Sequence, residues 1–140
     1  MLKEARAMFA DANFIGQVLE TDTRIAECHV AAKRSDEALA IADGALAVEA
    51  ARDGLGQARS ALLRARGYAL AQLGRKDEAL EAFAESLAAA REREADHEVA
   101  FTLCAMADLA GALDEPLGEE RQLLLERLGI VRSFSIPLAA

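Results

Sequence analysis

Proline is nearly absent from this chain. Pro116 and Pro137 are the only two in 140 residues, so everything before residue 116 is free of the strongest helix breaker. Aromatic residues make up 4% of a chain that is 53% hydrophobic, and alanine dominates the apolar content. The apolar surface therefore comes from small side chains on closely packed helices, which suits a stacked helical array better than one bulky core. No run reaches the roughly 18 apolar residues of a membrane span, and residues 1–13 lack the apolar core of a signal peptide. These absences predict a cytoplasmic protein with no membrane partner. Cysteine is limited to Cys28 and Cys104, with no CxxC pair, and both are expected to be buried, reduced thiols inside helices. Positive charge is also in deficit. A net charge of −8 repels phosphates, which argues against nucleic acid and favours basic or amphipathic partners.

Chemistry-bearing motifs are missing as well. There is no GxGxxG or GxxxxGK[ST] to cradle a nucleotide, and no base or oxyanion-type glycine motif accompanies a serine or cysteine. His97 and Cys104 are seven residues apart and could share a helix face, but zinc needs three or four ligands, and His29 and Cys28 do not extend the set. Neither an enzyme, a metal site nor a cofactor is expected.

What the chain has is helical periodicity broken by short turn signals. Residues 66–90, RGYALAQLGRKDEALEAFAESLAAA, read as a helix, a GRKD turn and a second helix. The first of these packs Leu63, Gly67 and Leu70. Gly67 costs about 1 kcal/mol relative to Ala inside a helix, which a close approach by a neighbouring helix would explain. Gly74 is placed to end that helix with positive φ. On the second helix Ala79, Phe83, Leu87 and Ala90 face inward, and Glu78, Glu81, Glu85 and Glu92 form a solvated stripe.

Other stretches look like looser copies. RSDEALAIADGALA parallels RKDEALEAFAESLA, with Ser35 as the expected N-cap, after a helix over residues 16–32 that carries Val18, Ile25, Ala26, Cys28 and Val30. Leu2, Ala5, Phe9 and Ala12 put an apolar face on residues 2–13, where Ala5 and Phe9 repeat the Ala79 and Phe83 pair. This reads as the second half of a repeat, with its partner supplied by a longer protein or another subunit. The step from Ala5 to Ala38 is 33 residues and that from Ala38 to Ala79 is 41, so an enlarged loop is expected at residues 51–57, ARDGLGQ. A third hairpin follows, with Asp96 as the expected cap of a helix over residues 97–113, then Asp114 and Pro116 starting LGEERQLLLERL, which Gly129 ends.

Gly67 followed by Ala79 and Phe83 resembles the tetratricopeptide repeat (TPR), in which a small residue on the first helix precedes an Ala-x-x-x-Phe pattern on the second. The Ala- and Arg-rich style and the LERLGI ending also look like C-terminal TPR arrays of large actinobacterial regulators, cyclase-related or ATPase-containing. The resemblance implies an all-α, right-handed superhelix of antiparallel helical hairpins with about seven helices. A half repeat (2–13) and hairpins at about 16–51, 58–94 and 96–128 would make one domain over residues 1–128. Residues 129–140 form an apolar tail, with Ile130, Val131, Phe134, Ile136 and Leu138, expected to be ordered by packing.

Such an array implies a scaffold that binds a protein or peptide on its concave side, which the first helix of each hairpin lines. Around Arg64, Tyr68 and Gln72 on the central hairpin, the repeat spacing aligns Glu20, Thr23 and Glu27 on one side and Glu98 and Phe101, with Asp108, on the other. Arg64 either meets a ligand carboxylate or pairs with Glu27 or Glu98, and Tyr68 and Phe101 either offer flat contacts to a guest or pack on neighbouring helices. The carboxylates would select a basic segment. The expected role is a non-catalytic interaction module of a larger bacterial signalling or transcription regulator. An effector-sensing domain that takes a small ligand or signal peptide is the alternative, as is a homodimer formed through the N-terminal helix or the tail.

Overall fold

A computed structural model of the chain describes residues 2–5, 15–51, 56–111 and 113–129. After a helical turn at residues 2–5 come α1 (Ile15–Ala31), α2 (Ser35–Ala50), α3 (Arg59–Gln72), α4 (Lys76–Glu92), α5 (Asp96–Ala110) and α6 (Glu115–Leu128), with a 3-10 turn at Gly56–Ala58 leading into α3. The protein is all-α, and its seven helical segments pack in sequence, each complete helix lying antiparallel against the next. Most of the expected half repeat and enlarged loop, and all of the tail beyond Gly129, lie outside the described residues.

One turn recurs three times. Lys33, Gly74 and Glu94 adopt left-handed backbone, with φ of 60°, 78° and 54°. In each case two amides fold back on the finished helix: Lys33 to Val30 and Arg34 to His29, Gly74 to Ala71 and Arg75 to Leu70, Glu94 to Arg91 and Ala95 to Ala90. These are Schellman closures, which satisfy carbonyls that a helix end leaves orphaned. The residue after each left-handed position is already the N-cap of the next helix. Arg34, Arg75 and Ala95 share nearly the same backbone angles, and their carbonyls accept the first helical bond from Ala38, Ala79 and Val99.

This economy corrects two expectations. Ser35 is not the cap of α2 but its first residue, because Arg34 occupies the cap, and the Ser35 hydroxyl instead donates to Gln72 Oε1 at 2.6 Å. Asp96 likewise begins α5 rather than capping it, and its carboxylate accepts from Arg127 on α6. The α5 helix also stops at Ala110, short of residue 113, because Gly111 turns left-handed there. Asp114 and Gly129 do bound α6, with proline in its first turn.

The core is centred on Phe83. Its ring is fully buried between α3 and α4, meets Tyr68 edge-on at 5.3 Å between centroids, and shares a cluster with Val30, Ala38, Ala69 and Ala105. Burying such a ring is worth about 2–3 kcal/mol, so it anchors four helices at once. The space for it comes from Gly67, where a Cβ atom would lie 2.5 Å from Phe83 Cε1. A second cluster, from Leu87, Ala90, Val99 and Leu103 to Leu124, attaches α6.

The packing also fixes which helices line the inside. The first helices of successive hairpins pack directly, α1 on α3 and α3 on α5, whereas the backbones of α2, α4 and α6 stay further apart. α4 reaches α6 through side chains such as Arg91 and Glu120. A stack whose first helices are closer than its second helices curves around the first, placing α1, α3 and α5 on the inner face.

Candidate binding groove

Two adjoining cavities of ≈460 Å³ and ≈440 Å³ open on that inner face, and Arg24, Glu27, Ala61 and Glu98 line both. They form one groove. Glu20 and Thr23 belong to its α1 end, while Arg64, Tyr68 and Phe101 belong to the half between α3 and α5. Most of the residues proposed from repeat spacing thus come together, since a helix returns to the same face every three to four residues. Gln72 and Asp108 line neither cavity. Gln72 is buried where α3 meets the first turn, donating to the Val30 carbonyl at 2.9 Å. Asp108 is exposed further along α5.

Arg64 is held on three sides. Its guanidinium donates to Glu98 at 2.7 Å and to the Thr102 hydroxyl at 3.3 Å, and lies over the Phe101 ring, 5.6 Å from its centroid. The pairing across α3 and α5 is therefore internal. Arg24 makes a weaker contact with Glu27, 3.4 Å and one turn away on α1. Glu20 has no ion pair with a described residue. Counting Glu20, Glu27 and Glu98 against Arg24 and Arg64 leaves the groove with one carboxylate in excess.

Tyr68 has two roles in one side chain. Its ring is only 5% exposed and packs on Phe83, yet its hydroxyl reaches the groove and bonds to no described residue. Burial pushes its ionisation from the ordinary value near 10 up to about 12; the Arg64 charge pulls it back, and Asp108 and Cys104 add to the rise. The phenol stays neutral at physiological pH, so it can donate or accept a hydrogen bond there.

Sequence spacing missed several neighbours. Arg24 lies on the same α1 face as Glu20 and Glu27, and Cys104 follows Phe101 by three residues on α5, so helical spacing could have found both. Cys28, expected in the core, is exposed at the groove because it lies one turn beyond Arg24 on α1. No pattern marks the buried hydroxyls beneath. Ser86 on α4 bonds the Ser60 carbonyl at 2.8 Å and the Thr102 hydroxyl at 2.9 Å, and Ser60 returns a bond to the Ser86 carbonyl at 3.0 Å. This chain ties α3, α4 and α5 together and ends at Arg64.

His29 is engaged away from the groove, its Nδ1 accepting from Arg34 Nε at 2.8 Å, and among the described residues no three His, Cys, Asp or Glu side chains are grouped to hold a metal. No described helix is long and apolar enough to cross a membrane. Comparison of the chain with protein families, with curated proteins and with solved structures finds no match to any of them.

Proposed function

We propose that this chain is a TPR-like, non-catalytic interaction module that binds a peptide or protein segment in the groove of α1, α3 and α5, within a larger bacterial signalling or transcription regulator. One observation carries the reading: the inner helices open a continuous groove whose walls combine carboxylates, an arginine, an exposed aromatic ring and small alanines. Phe101 is 37% exposed at the rim, where an aromatic ring gains most by being covered. The alanines Ala61 and Ala65 keep the floor open, leaving room for a guest side chain.

A random octapeptide display library panned on the immobilised chain tests it. Enrichment is expected on the wild type and its loss on the pair Ala61→Gln and Phe101→Ala, which fills the floor and removes the rim ring without touching Phe83. Circular dichroism confirms that the variants fold. No enrichment, or equal enrichment on the variants, would overturn the proposal.

An effector-sensing role remains a second reading, favoured by the link from Arg64 through Thr102 and Ser86 to Ser60. A ligand that drew Arg64 away would break an α3–α5 contact whose Thr102 hydroxyl is also bonded to Ser86 on α4.

A further inference from the structure

We infer that the groove selects a short amphipathic peptide with a lysine or arginine at the α1 end and an apolar side chain at the α3–α5 end, its backbone bonding the Tyr68 hydroxyl. The inference rests on the groove reading above and adds the chemistry of the guest. The two halves of the groove differ. At the α1 end the charged walls are Glu20, Glu27 and Glu98 against Arg24 alone, with Thr23 and Gln57 among the polar residues between them, so carboxylates are in excess. At the other end Val30, Ala65, Tyr68, Phe101 and Cys104 make a largely apolar wall, and its Arg64 and Glu98 are paired with each other.

Charge sets the guest's polarity. Arg64 is committed to Glu98 at 2.7 Å, with Thr102 and Phe101 also holding it, so a guest carboxylate would have to displace an ion pair that is only 11% exposed on the arginine side. A guest cation meets no such obstacle. Glu20 is unpaired among described residues, and Arg24, whose side chain is 64% exposed, holds Glu27 loosely at 3.4 Å. Exposed pairs of this kind are weak, so a cation shared between Glu20 and Glu27 replaces little. The net charge of −8 draws such a guest in.

Tyr68 supplies a second point of attachment. Its ring is held against Phe83, while its hydroxyl bonds to no described residue and is open to solvent at the groove, so a guest can bond it by displacing water alone. A backbone carbonyl or amide of the guest would complete it. The α1 wall from Gly16 to Ala31 rises about 22 Å, which accommodates roughly six extended residues.

The peptides enriched on the wild-type chain test this directly. Sequenced clones are expected to carry Lys or Arg together with an aliphatic or aromatic residue. Fluorescence polarisation with the most enriched peptide should show affinity falling about three- to tenfold for Glu20→Gln with Glu27→Gln, about threefold for Tyr68→Phe, and further between 50 and 200 mM NaCl. Both changes are mild, and the Tyr68→Phe ring still packs on Phe83. Enriched peptides that are acidic or lack charge bias, or that bind the double glutamine variant unchanged, would overturn this inference while leaving the groove reading intact. Binding indifferent to Ala61→Gln and Phe101→Ala would overturn both.

Discussion

Gly67 illustrates how one missing carbon can organise a fold. An added Cβ would stand 2.5 Å from Cε1 and 2.6 Å from Cδ1 of Phe83, a fully buried ring. Gly67→Ala should gain about 1 kcal/mol in helix propensity and lose more to overpacking, a net destabilisation of about 1–2 kcal/mol readable by urea denaturation. The Gly67, Ala79 and Phe83 relation was legible because sterics force a small residue opposite a large one. Tyr68 was only half legible. Its position on the groove face followed from helical spacing, but nothing in the spacing said that the ring would turn into the core and leave only the hydroxyl outside. That burial gives it a pH signature. The phenol ionises near 10 when unfolded and at about 12 when folded, so its contribution is fully present below pH 10 and is lost as pH rises toward 12. Alkaline unfolding titrations should show stability falling by up to about 2–3 kcal/mol over that window, with the slope reduced in Tyr68→Phe. An unchanged slope would mean that the hydroxyl ionises as freely in the fold as outside it.

At the scale of elements, helices were easier to foresee than the way they are joined. Alanine-rich periodic runs and the Gly74 and Gly129 stops located the helix bodies, since glycine at a left-handed position has a steric reason to be there, whereas Gly111 ends a helix that the periodicity carries on to residue 113. The turns at Lys33 and Glu94 have the same geometry without the glycine, so composition could not announce them, and Ser35 and Asp96 were read as caps in their place. A non-glycine residue in left-handed backbone costs about 1–2 kcal/mol, against about 0.5–1 kcal/mol of extra chain entropy that glycine loses on folding. Glu94→Gly should therefore raise stability by about 0.5–1 kcal/mol, measured as an upward shift in the urea midpoint at constant slope. The left-handed position at Gly74 already has its glycine, so Gly74→Ala should move the midpoint the other way. The hydroxyl chain through Ser60, Ser86 and Thr102 was illegible for another reason: serine and threonine inside helices usually bond their own turn, as Thr23 does with the Leu19 carbonyl at 2.8 Å. Only the packing of three helices reveals that these three bond one another.

Across the whole molecule, stability should be distributed unevenly along the stack. In an array where each unit contacts its neighbours, local damage spreads only as far as the interfaces it weakens. Phe83 stands at the most shared point, touching a cluster drawn from α1, α2, α3 and α5. Leu124 is the only buried residue on α6, and it meets Leu87, Ala90 and Leu103 at the C-terminal end. Truncating either to alanine removes a comparable kind of contact, about 2–5 kcal/mol each, but the consequences should differ in reach. With Leu124→Ala, amide exchange should accelerate in α6 and the facing part of α5 while α1 and α2 keep their protection. With Phe83→Ala, exchange should accelerate in every helix from α1 to α5, because the interfaces on both sides of α3 and α4 lose their common anchor. Hydrogen-exchange mass spectrometry on the two variants separates these outcomes. Equal acceleration everywhere in Leu124→Ala would show one cooperative unit in place of a stack, and the groove would then open and close only with the fold as a whole.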